Sequence, residues 1–287
     1  MVSSFSLPGT RFRTIQTCPL EPVGPSVLYM DQWEELGNNI YSHRYEALNQ
    51  NIGLIVGSEE AIVVDTRGHH AHADELRRDI AKLTSVPVTT VVNTHMHWDH
   101  TFGNARFPGA RIVGHVRCRS SLLDFGPEMR DTVAAQMPPE WSEHVATVEI
   151  VPPEVTFEES MTLTLDDRQI RLVYLGRAHT DNDISLMIDD VVMAGDLIEE
   201  GAPPAFGSSF PGEWPITLMD LLEEPAAVWL PGHGQVVDRA FVERQAADLG
   251  AVAALLADMK AGGRSDVPPG PFQREAMELA WMRFEAD

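Results

Sequence analysis

The chain has 287 residues, of which 43 are Asp or Glu and 21 are Lys or Arg, giving a formal charge of −22 at neutral pH. Apolar residues make up 44%, enough for a sizeable core, which excludes disorder for most of the length and fits one large α/β domain or two small ones. The acidic excess disfavours a nucleic-acid partner, because a phosphate backbone needs a basic face.

In chain order, Met1–Thr10 lacks a basic patch followed by an apolar stretch, so no secretory leader is expected. Pro8, Pro19, Pro22 and Pro25 punctuate an irregular arm over residues 1–37, leading to a short strand near Asn38–Tyr41. Ile52–Val56 and Ala61–Val64, joined by Gly57-Ser58-Glu59-Glu60, read as a hairpin ending at Asp65. Leu76, Ile80 and Leu83 share helical spacing and predict a helix over His70–Leu83. The β-branched run Val88–Val92 is a buried strand that leads into Asn93–His100. A strand at Arg111–Gly114 and a helix at His115–Asp124 follow, and residues 125–150 read as helical fragments broken at Pro127, Pro138 and Pro139. Strands return at Met161–Leu165, Gln169–Leu175, Ile184–Ile188 and Val191–Ala194, with Asp166-Asp167 and Asp189-Asp190 as turns. Pro215–Leu222 is a short helix, and Val228–Leu230 a short strand running into Pro231-Gly232-His233-Gly234. A helix over Arg239–Lys260 stops at Gly262-Gly263, and Phe272–Phe284 forms a last helix after a Pro/Gly linker. This order suits two packed sheets with helices outside. No apolar run of about 18 residues is present to span a membrane. Cys18 and Cys118 form no CxxC and no disulfide framework. The expectation is a cytoplasmic protein with neither membrane nor nucleic-acid partner.

Four segments put a His or Asp just after a strand-like run: His95-x-His97-x-Asp99-His100, then His179, Asp196 and His233. Loops leaving sheet edges are where a rigid scaffold exposes reactive groups. If these strand ends meet at one edge, the nitrogen and oxygen donors are too many for one tetrahedral ion and fit two. Imidazole and carboxylate without thiolate suit Zn2+, Fe2+ or Mn2+. His95 and His97 lie two apart, on one side of an extended chain, whereas Asp99 and His100 follow a turn.

His95-x-His97-x-Asp99-His100 with Gly-Arg-Ala-His179-Thr-Asp, Ala-Gly-Asp196-Leu and Pro-Gly-His233-Gly, in that order, resembles the metallo-β-lactamase superfamily. The resemblance implies an α/β fold, a four-layer αββα sandwich of two mixed β-sheets with outer helices, over residues 38–262. Residues 263–287 would then be a tail helix packed on that domain. It implies that His95, His97 and His179 hold a first metal, that Asp99, His100 and His233 hold a second, and that Asp196 bridges them. Asp65 would support the ligands or the fold. The implied cofactors are two divalent ions, Zn2+ first and Fe2+ or Mn2+ next. The implied activity is attack of a metal-bound hydroxide on the carbonyl of a small ester, lactone, thioester or amide, with Asp99 also orienting the nucleophile. The β-lactamase subgroup with Cys in its second site would need that Cys where Asp196 stands, so β-lactams are not the expected substrates. Two other readings remain: a mononuclear iron oxygenase of the same fold acting on persulfides, and a metal-binding interaction protein without turnover.

Substrate contacts are read from proximity in sequence. Asp196, Glu199, Glu200, Glu213, Asp220, Glu223 and Glu224 form a stretch without Lys or Arg, read as an acidic rim that repels polyanions. Arg177 can meet a carboxylate, and Phe206, Phe210 and Trp214 on the loop over residues 201–214 suit an apolar substrate, whether that loop is a lid or simple packing. Thr94, Thr180 and Asp181 are expected to hold the imidazoles. His69, His70 and His72 read as solvated surface, and His43, His115 and His144 as structural. Trp281 and Phe284 fit either docking of the tail or a homo-oligomer contact.

Overall fold

The computed structural model describes residues 33–287, so most of the arm read at 1–37 lies outside the described residues. The first strand expectation is corrected to a hairpin. β1 (Glu34–Gly37) and β2 (Ile40–Tyr45) pair antiparallel around Asn38-Asn39, where Asn39 takes a φ of 55°, a conformation asparagine tolerates. β3 (Gln50–Val56) and β4 (Ala61–Val64) form the second hairpin. Helix α1 (His70–Leu83) crosses to β5 (Val88–Val92), and the short helix α2 (Trp98–Thr101) precedes β6 (Arg111–His115). Helices α3 (Val116–Gln136) and α4 (Pro139–Ala146) lead to β7 (Val155–Phe157). The second half holds β8 (Ser160–Leu165), β9 (Arg168–Val173), β10 (Ser185–Ile188), β11 (Val191–Glu199), α5 (Trp214–Leu221), β12 (Val228–His233), α6 (Arg239–Ala261) and α7 (Arg274–Ala286).

The strands run in the order β7-β6-β5-β4-β3 and then β12-β11-β10-β9-β8, with β2 and β1 extending from β3. β3 and β12 meet only at the pair His233↔Gln50, so two mixed sheets share one corner. Side-chain alternation sorts the layers. Ile62, Val64, Val92 and Val113 of the first sheet face Leu172, Leu186, Val191 and Met193 of the second. Val63, Val91 and Ile112 point the other way, onto Leu76 and Ile80 of α1. Val192, Ala194 and Trp229 turn outward onto α5, α6 and α7. The result is the four-layer αββα sandwich. Gly53 keeps the sheets close, since a Cβ there would lie 2.5 Å from Met193 Sδ. Among the described residues no helix is long and apolar enough to cross a membrane.

The expected break at Pro127 is corrected: α3 runs unbroken for 21 residues. Pro127 sits on the exposed side, while Cys118, Leu122, Val133 and Ala134 pack on Met96, Trp98 and Phe102. Burial of that face outweighs one missing backbone hydrogen bond. The breaks at Pro138 and Pro139 do occur, with Pro139 opening α4.

His69 is buried at 2% exposure, which corrects the solvated reading. Its Nδ1 caps α1 by accepting from the His72 N–H at 3.3 Å. Its ring stacks on His72 at 3.7 Å and on His144 at 5.1 Å, with Trp141 edge-on to both His69 and His72. Burial, then neighbouring positive charge, pushes His69 down to about 4 and His72 down to about 2. An unfolded chain therefore takes up protons near pH 6.5 that the folded protein refuses, and stability falls as pH drops below that value. Each of the two groups contributes up to about 1.4 kcal/mol per pH unit over its window. Urea unfolding of the metal-loaded protein between pH 7.5 and 5 should show this slope. His69→Asn keeps a capping acceptor and should reduce the slope by up to about one proton; an unchanged slope would acquit His69.

Candidate metal centre

The donors sit on segments that the surrounding packing holds rigidly. Beyond β5, Asn93 and Asn104 exchange side-chain hydrogen bonds at 2.8 and 3.0 Å and pin the start of the loop. The Thr94 N–H and hydroxyl both donate to Asp65 at 2.8 Å. Trp98 lies over Gly68, where a Cβ would approach the ring to 2.3 Å. α2 then presents Asp99 and His100 on one helical turn. In the second sheet, β11 runs past the expected end at Ala194 to Glu199, with a bulge at Gly195 (φ 54°) that aims Asp196. Gly232 admits the Asp196 carboxylate, since a Cβ there would lie 1.8 Å from Oδ1.

All seven predicted donors come together in two groups, His95/His97/His179/Asp196 and Asp99/His100/His233, each with donor atoms within 4.8 Å of one another. In the first, His95 Nε2 and His179 Nε2 lie 3.0 and 2.9 Å from His97 Nδ1, and 3.7 and 3.4 Å from Asp196 Oδ2. In the second, Asp99 Oδ2 lies 3.4 Å from His100 Nε2 and 3.2 Å from His233 Nε2. Asp196 reaches both groups, with Oδ1 at 3.3 Å from His100 Nε2 and Oδ2 at 3.6 Å from His233 Nε2. Bonds of about 2.0–2.1 Å to a tetrahedral Zn2+ imply donor separations of about 3.4 Å. The observed spacings bracket that value.

The far side of every imidazole is occupied, which sets which nitrogen faces inward. Thr94 spends its hydroxyl proton on Asp65, so its Oγ1 accepts from His95 Nδ1–H at 3.1 Å. His97 Nε2 meets Ser208 Oγ at 2.8 Å, His100 Nδ1 meets Asp65 Oδ2 at 2.7 Å, and His233 Nδ1 meets the Leu48 carbonyl at 2.8 Å. His179 Nδ1 faces Glu199 Oε1 at 3.3 Å, an ion-pair distance with poor hydrogen-bond alignment. The inner nitrogens thus face one another across the site, and His100 Nε2 and Asp196 Oδ1 are buried without hydrogen-bond partners. Divalent cations among these atoms would satisfy all of them, so the residues fit the metals the motif implies.

The electrostatics divide the imidazoles: His95 and His97 are neutral, whereas His100 and His179 hold a proton among the carboxylates that a bound cation would displace. Burial keeps His95 well below its usual pKa and His97 down at about 3, hence neutral, the form that coordinates. Burial also acts on His100 and His179, but the carboxylates around them win: His100 is raised well above its usual value and His179 to about 9. Asp99 and Asp196, despite burial, are held well below the carboxylate range by the surrounding imidazoles.

The expected substrate contacts are placed elsewhere. Phe206 and Trp214 are fully buried in the core beside α5 and α6, and Trp214 supports His179 edge-on at 5.5 Å. Phe210 is 7% exposed beneath the Arg177 guanidinium at 4.3 Å. Arg177 is engaged by Glu213 and Asp287. The loop over 201–214 is therefore packed, and its central residues are buried. The seven acids form no rim: Asp196 lies among the imidazoles, Glu199 faces His179, Glu200 accepts from Gln235 N–H, Glu213 and Glu224 pair with Arg177 and Arg171, and Asp220 and Glu223 are exposed around the end of α5. Thr180 and Asp181 do not touch the imidazoles; Thr180 bonds instead to Asp183, a buried carboxyl that desolvation raises to about 6. Sequence reasoning missed Ser208, the Leu48 carbonyl, and Gln50, which donates to the Asp99 carbonyl. Glu199 was misread as rim; the extension of β11 beyond Asp196 would have placed it three residues on, inside the sheet.

The sequence profile of the metallo-beta-lactamase superfamily matches residues 45–234, a span that includes every donor. Over 188 residues the chain is 21% identical to the metallo-beta-lactamase type 2 of Bacteroides fragilis, covering 63% of this chain and 67% of that protein. A metallo-beta-lactamase from Pontibacter korlensis superposes with a TM-score of 0.62 at 17% identity, covering 76% of this chain and 98% of that one. FIM-1 from Pseudomonas aeruginosa, solved in a mono-zinc form, superposes with a TM-score of 0.61 at 16% identity, covering 77% and 96%. A profile match over more than half its length, on a sandwich that gathers the motif's seven donors at one edge, means that the chain belongs to the metallo-beta-lactamase superfamily.

Proposed function

We propose that the protein is a metal-dependent hydrolase of small carbonyl compounds (esters, lactones, thioesters or amides) that works with two divalent cations, Zn2+ foremost. The observation that carries this reading is Asp196, whose two oxygens reach both groups of imidazoles at 3.3–3.7 Å. A pair of divalent cations, when bound, lowers the pKa of a shared water to about 7 and polarises the oxygen of the bond under attack. The chain's own residues supply the rest. Asp99, kept ionised, accepts a hydrogen bond from the attacking water and so orients it. Gln50 holds the Asp99 backbone, and Asp65 holds His100. Cys118 is buried and its thiol is pushed up by burial, so it offers no competing nucleophile.

Dispersal of the acids removes the electrostatic argument against anionic groups on the substrate. The relatives' names bring β-lactams in as one class of cyclic amide, and Asp196 in place of the subgroup's Cys argues against them as preferred substrates. The test couples metal analysis to a panel of lactones, thioesters, β-lactams, aryl esters and phosphodiesters. About two divalent ions per chain and turnover of a carbonyl substrate are expected. A phosphodiester preference, no hydrolysis by fully loaded protein, or about one iron per chain with oxygen uptake on a persulfide would overturn the reading.

A further inference from the structure

The superfamily match stops at residue 234, and α7 lies beyond it. α7 packs on the body through Ala276, Met277, Ala280 and Trp281, ordinary apolar contacts. Arg283 is different. It is 6% exposed, and its guanidinium points into the protein, at the loop between β11 and α5. Nε donates to the Ser209 carbonyl at 3.0 Å and Nη2 to the Ser208 carbonyl at 3.5 Å. Two neighbours reinforce this grip: Phe284 covers Gly212, where a Cβ would lie 2.9 Å from the ring, and Asp287 meets Arg177 at 3.0 Å. A buried guanidinium is costly unless its donors are used, and here they converge on two consecutive carbonyls. Ser208 is the residue whose hydroxyl meets His97 Nε2 at 2.8 Å and also donates to the His179 carbonyl at 3.4 Å.

We propose that Arg283 is a positioning residue of the metal centre. It fixes the Ser208 backbone, Ser208 fixes the ring and tautomer of His97, and the tail helix is thereby a working part of the first donor group. This rests on the metal reading above, and the test separates the two. Zn2+ affinity is measured by chelator competition on the full chain, with thermal unfolding alongside, for wild type, S208A, R283M and the double variant. S208A should weaken binding about tenfold or more, the usual cost of losing a partner behind a ligand. R283M should weaken it by a lesser factor, and the double variant should be no weaker than S208A alone, because both act through one contact. S208T and R283K, which keep the donors, should recover part of the affinity; if R283M does not fold, R283Q with S208A completes the same cycle. Zn2+ affinity within about twofold of wild type in R283M, or losses that simply multiply in the double variant, would mean that Arg283 only anchors the tail, and would overturn the proposal. Failure of the wild-type protein to bind Zn2+ would instead sink the metal reading itself.

Discussion

Asp196→Ala is expected to remove nearly all turnover and most of the bound metal, a larger loss than at any other single donor. Among the described residues, Asp196 is the one carboxylate with ion-pair distances to imidazoles of both groups, and it is 5% exposed in a pocket cleared by Gly232. On the two-cation reading proposed above, the variant removes the shared anionic ligand that would offset the repulsion between the ions. Its charge is also among those that hold His100 protonated before metal enters, so the variant alters the local charge balance as well. Loss of metal assistance is worth several kcal/mol of transition-state stabilisation, about a thousandfold or more in rate. His97→Ala removes one neutral donor from the first group alone and should leave more metal behind than Asp196→Ala. Metal content and kcat, measured on the same preparations, check both. Near-wild-type turnover in both variants would end the metallohydrolase reading.

Asp65→Ala is expected to cost about 3–5 kcal/mol of stability, a large share of what holds a domain folded, and to disturb metal binding with it. One buried carboxylate accepts from the Thr94 N–H, the Thr94 hydroxyl and His100 Nδ1, at 2.7–2.8 Å. Alanine leaves these donors buried without partners and frees the Thr94 hydroxyl that sets the His95 tautomer. The backbone at Asp65 has a φ of 65°, which alanine resists and asparagine accepts. Asp65→Asn should therefore keep the turn and part of the network, and fall between wild type and Asp65→Ala. Urea unfolding of metal-free and metal-loaded protein separates the backbone and network effects from the metal's own contribution. A cost below about 1 kcal/mol for Asp65→Ala would show that the network is dispensable.

The donors were legible because each depends on residue type and on a short local pattern. A β-branched run predicts a strand, and a His or Asp just beyond it stands at a strand end, as at Val88–Val92 before His95 and Val228–Leu230 before His233. The helix spacing of Leu76 and Ile80 was equally local, and α1 forms where it indicated.

What was not legible depends on neighbours brought in from far along the chain. Ser208 reaches His97 across 111 positions, and the Leu48 carbonyl reaches His233 across 185, so no local pattern could reveal them. The same cause misled the reading of charge and polarity. Acids clustered in sequence from Asp196 to Glu224 separate in space, because β11 buries Glu199 while the later ones pair with Arg177 and Arg171 or point to solvent. Pro127 breaks a helix in isolation, yet α3 continues because one of its faces is buried against Trp98 and Phe102. His69 looks solvated until α4 closes over it. By itself, then, the sequence determined most strands, most helices and which seven side chains gather at the sheet edge, since short-range sterics and side-chain chemistry suffice for those. Only the tertiary structure decided which nitrogen each imidazole turns inward, that Asp196 spans both groups, and that the tail helix grips the loop behind His97, because these depend on distances between residues that only folding brings together.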